Sequence, residues 1–88
     1  MNKERRKQIA GVDSVIGTIR EMLESALEEA RTARDDERDY ADNLPESFTE
    51  KRERAESAAD ALDELVSALE EADSALETAS GHIESAAE

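Results

Sequence analysis

A seven-residue repeat of apolar side chains runs through both halves of the chain and limits what it can fold into. The apolar residues follow one another at alternating intervals of three and four, which places them on one stripe of an α-helix. The first stripe comprises Ile9, Val12, Ile16, Ile19, Leu23, Ala26, Ala30 and Ala33, and the same spacing then continues through Glu37 and Tyr40. The second comprises Ala55, Ala58, Leu62, Leu65, Leu69, Ala72, Leu76, Ala79, Ile83 and Ala86. This pattern predicts an all-α protein made of two long helices.

A short segment around Pro45 separates the two stripes. Proline lacks an amide hydrogen and disfavours helix at the residue before it. Asn43 tolerates the left-handed conformation that often ends a helix, and Ser47 followed by Glu50 fits a capping box. We therefore predict a single helical-hairpin domain over residues 1–88, with a helix over 3–42, a turn at 43–46 and a helix over 47–86.

So short a connection predicts that the two helices pack against each other as an antiparallel coiled-coil hairpin. Folding at the turn pairs residues whose numbers sum to about 90–92. The large core positions of the expected seam, in the hairpin or in an oligomer, are Ile9, Val12, Ile16, Ile19, Leu23, Leu62, Leu65, Leu69, Leu76 and Ile83.

The predicted pairing places Ile19 near Ala72 and Ala26 near Leu65. Val15, Met22 and Leu27 widen the first stripe beyond a two-helix contact. A lone hairpin of this length buries little apolar surface. We therefore expect self-association, with two hairpins forming a four-helix bundle.

Charge is distributed unevenly along the chain. The 24 Asp and Glu residues outnumber 11 Lys and Arg, for a net charge of -13, and no Lys or Arg follows Arg54. The second helix should therefore carry an acidic face, formed by Glu56, Asp60, Asp63, Glu64, Glu70, Glu71, Glu77 and Glu84. Such a face favours a basic protein as partner and is repelled by nucleic acid and anionic membranes.

Two interpretations of this face remain open. Runs of charge are commonly solvated helix faces. Glu56, Asp63, Glu70, Glu77 and Glu84 repeat every seven residues, about 10.5 Å apart on a helix, and acidic neighbours fill the gaps towards the spacing of duplex phosphates. Because solvated helices usually mix signs to gain ion pairs, the face also fits a mimic of nucleic acid.

No pattern indicates catalysis or a cofactor. The chain has no cysteine and a single histidine, His82, with no carboxylate three or four residues before it, so we predict no metal site and no enzyme. No apolar run approaches the length of a membrane span, and the charged start lacks the apolar stretch of a signal peptide. We therefore expect a cytoplasmic protein.

Basic residues gather at both ends of the predicted hairpin. Lys3, Arg5, Arg6 and Lys7 lie at the open end, where the hairpin places them beside Glu84 and Glu88. Arg31, Arg34, Arg38, Lys51, Arg52 and Arg54 lie towards the turn. The first cluster opposes the helix macrodipole, so we expect it to pair with the acidic end of the second helix.

The basic start Met1–Lys7, the turn sequence D-N-L-P-E-S at residues 42–47 and the segment L-E-E-A at residues 69–72 resemble a group of small acidic proteins from phages and integrated elements of Gram-positive bacteria. The resemblance implies a phage or mobile-element setting in the host bacterial cytoplasm. Small acidic phage proteins of this kind include inhibitors of host defence, and some anti-CRISPR proteins act as DNA mimics. The second helix is also similar to the hairpin of phage sponges that sequester cyclic-nucleotide messengers.

The sequence thus leads to one preferred function and two alternatives. The preferred function is a non-enzymatic anti-defence inhibitor whose acidic face mimics nucleic acid and binds a basic nucleic-acid-handling or defence protein of the host. One alternative is an oligomeric sponge for a small nucleotide messenger, bound through residues such as Arg52 and Arg54. The other is a purely structural coiled-coil adaptor.

Overall fold

The computed structural model describes all 88 residues and contains two long helices. Helix α1 spans Lys3–Asn43 and helix α2 spans Thr49–Ala87. They pack side by side in opposite directions as a rod whose Cα atoms extend 69 × 15 × 12 Å. The predicted all-helical hairpin is confirmed. Neither helix is long and apolar enough to cross a membrane.

Helix α1 is capped at its start and stopped by proline at its end. The Oδ1 atom of Asn2 accepts a hydrogen bond of 2.8 Å from the backbone N–H of Arg5. At the other end Leu44 is extended, with φ -72° and ψ 139°, as a residue before proline prefers. The predicted left-handed conformation at Asn43 is wrong, since no residue has positive φ. Asn43 is instead the last helical residue, and its Nδ2 donates to the carbonyl oxygen of Asp39.

The predicted capping box at the start of α2 is also wrong. Phe48 occupies the cap position and offers no side-chain cap, so Ser47 lies one residue outside. The backbone N–H of Phe48 donates to the carbonyl oxygen of Pro45 at 3.0 Å, which places Ser47 inside this turn. Arg52 closes the turn by donating through Nη2 to the carbonyl oxygen of Leu44 at 2.6 Å.

The interface between the helices follows a seven-residue repeat that differs from the predicted stripe at every second position. On α1 the buried and half-buried positions are Ile9, Asp13, Ile16, Arg20, Leu23, Leu27, Ala30, Arg34, Glu37, Ala41 and Leu44. On α2 the main line is Arg52, Ala55, Ala59, Leu62, Val66, Leu69, Asp73, Leu76, Ser80, Ile83 and Ala87. Each line shares alternate members with the predicted stripe and replaces the others by the next residue.

The replaced members of α1 do not hold the hairpin together, and of those on α2 only Ala58, Ala72 and Ala79 are half-buried. Val12, Ile19 and Leu65 are 52%, 40% and 46% exposed, and Ala26 is exposed as well. Intervals of three and four residues are compatible with either of two neighbouring helical stripes, one through Val12 and one through Asp13. Val12 was preferred in the prediction only because it is hydrophobic. Arg20 and Asp13 lie in the interface because each finds a polar partner on α2, Asp73 and Ser80 respectively, which removes the cost of burying an unpaired polar group.

The core is thin and small-residue packing dominates it towards the turn. Leu27, Ala30 and Val66 form the central cluster, with Leu69 packed against it. Near the turn Ala41, Ala55 and Ala59 are at most 2% exposed, so the backbones approach closely there. Only 7 of the 88 residues are buried, which leaves most of both helices available for contacts outside the hairpin.

Candidate binding surfaces

An ion pair at the centre of the interface sets the register of the hairpin. Arg20 donates to both carboxylate oxygens of Asp73, from Nε to Oδ1 at 2.8 Å and from Nη2 to Oδ2 at 3.2 Å. Two turns away Ser80 donates to Asp13. The residue numbers in both pairs sum to 93, slightly above the predicted 90–92. These polar groups can be satisfied together in one register only, which a run of alanines would not specify.

The ion pair also shifts the protonation equilibria of both partners. The hydrogen bond from Arg20 lowers the pKa of Asp73 from its ordinary value of 3.8, against a smaller opposing effect of desolvation. The same hydrogen bond raises the pKa of Arg20, with the charge of Glu77 adding to it. Both side chains are about one third exposed, 35% each, so solvent screens the interaction in part. Asp73 therefore stays ionised under most conditions.

Arginines of α1 line one long edge of the rod, which we call the charged edge. Nη2 of Arg31 lies 3.2 Å from Oε1 of Glu70. Nη1 of Arg34 donates to Oδ1 of Asp63 at 2.9 Å, and this hydrogen bond, followed by the one that Arg34 donates to Asp35, raises the pKa of Arg34. The contacts with Glu70 and Asp63 cross from α1 to α2, so the middle of the acidic heptad line of α2 faces basic residues of α1.

The predicted acidic face therefore divides into two groups. Asp60, Asp63, Glu70 and Glu77 lie within 4.0 Å of an arginine of α1. The other four have no basic partner within this distance: Glu56, Glu64, Glu71 and Glu84. We call the second group the free acids. Sequence reasoning treated the whole face as uncompensated because it examined α2 alone and did not bring the arginines of α1 beside it.

Most of the negative charge still lacks a counterion. Six of the 24 acidic side chains contact an arginine, which leaves 18 without a basic partner. Glu64 and Glu71 line a shallow open depression on the outer side of α2 together with Asp60, Asp63 and Ser67. The surface of α2 turned away from α1 is accordingly anionic and accessible.

The basic cluster at the open end does not pair as predicted. No ion pair forms between Lys3, Arg5, Arg6 or Lys7 and any acid, and Glu84 and Glu88 remain unpaired. All of these residues are exposed. Long exposed side chains gain little from pairing because the contact costs side-chain entropy in a high dielectric. The cluster is thus separate from the acidic surface.

The arginines needed by a messenger sponge are largely engaged within the hairpin. Arg31, Arg34 and Arg38 contact acids of α2. Arg52 donates to the backbone of the turn. Of the basic residues towards the turn, Lys51, Arg52 and Arg54 have no acidic partner, and Lys51 lies 5.2 Å from the ring of Phe48. This arrangement disfavours capture of an anionic messenger at the turn.

The edge opposite the charged edge is apolar, which sequence reasoning missed. It carries Val12, Val15, Ile19 and Met22 on α1 beside Leu65, Ala72 and Ala79 on α2, and we call it the apolar face. The four α1 side chains are 40–68% exposed. Residues that were predicted to lie in the hairpin seam, such as Val12 and Ile19, form this face instead. Contiguous exposed apolar side chains of this kind commonly mark a protein interface.

The remaining chemistry of the surface is simple. No group of three or more His, Cys, Asp or Glu side chains is arranged to hold a metal ion. The depression between Arg20, Glu24 and Arg31 is open to solvent, like the one on α2. The structure thus offers surfaces for contact with a macromolecule. Comparisons with protein families, with curated proteins and with solved structures give no match to this chain.

Proposed function

We propose that the protein is a non-enzymatic inhibitor that binds a basic, nucleic-acid-binding site on another protein through the anionic surface of α2. The observation that supports this most is the set of free acids on α2, which are exposed and have no basic partner on a rod 69 Å long. The resemblance to small acidic phage proteins supplies the setting: a host defence or nucleic-acid-handling protein in the bacterial cytoplasm.

The charge density limits how far the imitation extends. A duplex of 69 Å carries about 40 phosphate charges, whereas the rod has a net charge of -13 over that length. The density is about one third of that of DNA. A DNA-binding protein contacts about 6–10 phosphates on one side of the duplex. Together with Glu50 and Glu53, which are also exposed and unpaired on α2, the free acids number six, the lower end of one such footprint, so the rod imitates one side of a duplex.

Lower charge density has a measurable consequence. Fewer condensed counterions are released when the rod binds than when DNA binds the same site. The affinity of the partner for this protein should therefore fall with salt, but less steeply than its affinity for a duplex. A solvated acidic face with no partner gives no such binding at any salt concentration.

The test uses charge reversals that leave the ion pairs intact. Reversing Asp63, Glu70 or Glu77 would also break contacts with Arg34, Arg31 or Arg20. The double substitution of Glu64→Lys with Glu71→Lys avoids this, because both side chains are exposed and unpaired. Proteins captured from a bacterial lysate on the immobilised wild type should be lost on this variant.

A matched control removes the same amount of charge elsewhere. Glu21→Lys with Glu28→Lys has the same spacing and charge change on α1, at exposed positions without ion pairs. This variant should retain the captured protein, and a duplex added to the wash should release it. Equal loss on both variants would indicate a response to net charge alone, and retention on both would refute binding through α2.

A further inference from the structure

We propose that the apolar face is an interface with a second copy of this chain, and that the twofold axis of the dimer runs along the rod. The two turns then lie at the same end, and α1 of each copy packs on α2 of the other. The proposal rests on the surface area, the shape of the face and the distribution of charge around it. It is independent of the target of the acidic surface.

The area left exposed is larger than a chain of this size normally leaves. A monomer of 9.7 kDa with ordinary globular burial exposes about 5,100 Å², whereas this hairpin exposes 6622 Å². The excess is about 1,500 Å² per chain. Burying it on both copies gives an interface of about 3,000 Å², within the range of permanent homodimers. A second copy therefore restores the surface expected for a stable fold.

The apolar face is complementary to itself. Its large side chains other than Leu65 lie on α1, from Val12 to Met22, and in the register of the Arg20–Asp73 pair the residues of α2 at the same height include the small Ala72 and Ala79. Each hairpin thus carries a ridge on one helix beside a shallow groove on the other. A twofold interface requires that the same patch serve both partners. An axis along the rod places each ridge over the groove of the other copy, whereas an axis across the rod moves them to different heights.

Charge is absent from this face although 40% of the residues are charged. The two lines of α2 that border it, one through Ala58 and Leu65 and one through Ala61 and Ala68, carry no charged residue up to Ala79. The charged edge points away from it, and the acidic depression of Glu64 and Glu71 begins only at the outer border of the face, where Ala68 lines it. Two chains with a net charge of -13 each repel one another, and this arrangement keeps their acids far apart in the dimer.

Sedimentation equilibrium over a range of concentrations tests the interface. The wild-type protein should have twice the 9.7 kDa mass of the chain, and Ile19→Glu should reduce it to one chain, with the α-helical circular dichroism retained. Ser14→Glu adds the same charge to an exposed position on another side of α1 and should remain dimeric. A monomeric wild type, or a dimer that tolerates Ile19→Glu, would overturn the proposal.

Disulfide trapping tests the orientation without a disruptive charge, since the chain has no cysteine of its own. A chain carrying Met22→Cys is mixed with a chain carrying Ala72→Cys, and both are oxidised. The axis along the rod predicts a mixed dimer of the two different chains, at least tenfold more abundant than either like pair. A predominance of like pairs would refute this orientation.

Discussion

Two neighbouring residues, Leu65 and Val66, distinguish the observed helix interface from the one that hydrophobicity favours. Val66 is 3% exposed and packs with Leu27 and Ala30, whereas Leu65 is 46% exposed. We predict that Val66→Asp unfolds the hairpin or nearly so, and that Leu65→Asp leaves it folded. The same charge is introduced one residue apart on the same helix, so net charge is matched, and the loss of helix propensity is larger for Leu→Asp than for Val→Asp.

The burial of the two side chains gives the expected magnitudes. Loss of a buried valine side chain costs about 2 kcal/mol, and an unpaired carboxylate in its place costs several more. The total for Val66→Asp is about 4–6 kcal/mol, against a stability of about 4–13 kcal/mol for 88 residues. Leu65 loses only about half of its burial, so Leu65→Asp costs about 1 kcal/mol.

Urea unfolding followed by circular dichroism at 222 nm measures both values in chains that also carry Ile19→Glu, which is expected to keep them monomeric, with the Ile19→Glu chain as the reference. With a dependence of about 1 kcal/mol per molar urea, Leu65→Asp should lower the midpoint by about 1 M and Val66→Asp by at least about 4 M. Acid should partly restore the second variant, because protonation removes the buried charge. Equal destabilisation by both substitutions, or a larger effect of Leu65→Asp, would refute the observed interface.

Three further predictions are checked by the same unfolding assay. Because Arg20 lowers the pKa of Asp73 below 3.8, the ion pair stabilises the hairpin above that pH, and this stabilisation is lost as the pH falls through the lowered pKa. In Asp73→Asn the free energy of unfolding should therefore fall less on acidification than in the wild type. The same fall in both proteins would contradict this prediction. Asn2→Ala should lower the free energy of unfolding by about 1 kcal/mol through loss of the helix cap. Ser47→Ala removes no cap and should change it by less than about 0.5 kcal/mol. A larger effect of Ser47→Ala than of Asn2→Ala would indicate that Ser47 does cap α2. Gly17→Ala should stabilise by about 1 kcal/mol, since an added Cβ meets no atom within 4 Å, and destabilisation would indicate a close contact at this position.

The fold could be predicted from the sequence because its signals are local. Pro45 and the repeat of apolar residues depend on nearest neighbours and on helical periodicity, and they suffice for two long helices and a turn. The cap at Phe48 was missed because Ser47 satisfies the capping motif in sequence, while the backbone turn closed by Pro45 and Phe48 uses that residue differently. Two local motifs, the capping box and the backbone turn, were thus possible at Ser47, and the backbone hydrogen bond from Phe48 to Pro45 favours the turn.

The interface and the binding surfaces could be predicted only in part because they depend on partners in the other helix. Arg20 and Asp73 are unfavourable in a seam when each is considered alone, but they are compatible with it as a pair. The same holds for the acidic face, since Glu70 is compensated by Arg31, which lies 39 residues before it. No periodicity within one helix carries this information.

Whether the free acids imitate nucleic acid is tested most directly by competition on a captured partner. The partner retained in the lysate experiment is purified and bound to a fluorescent duplex of about 20 base pairs, which matches the length of the rod. Titration with this protein should displace the duplex completely, and the variant with Glu64→Lys and Glu71→Lys should displace it at least tenfold less effectively. A ternary complex of partner, duplex and protein, with the duplex still bound at saturation, would contradict the proposed function.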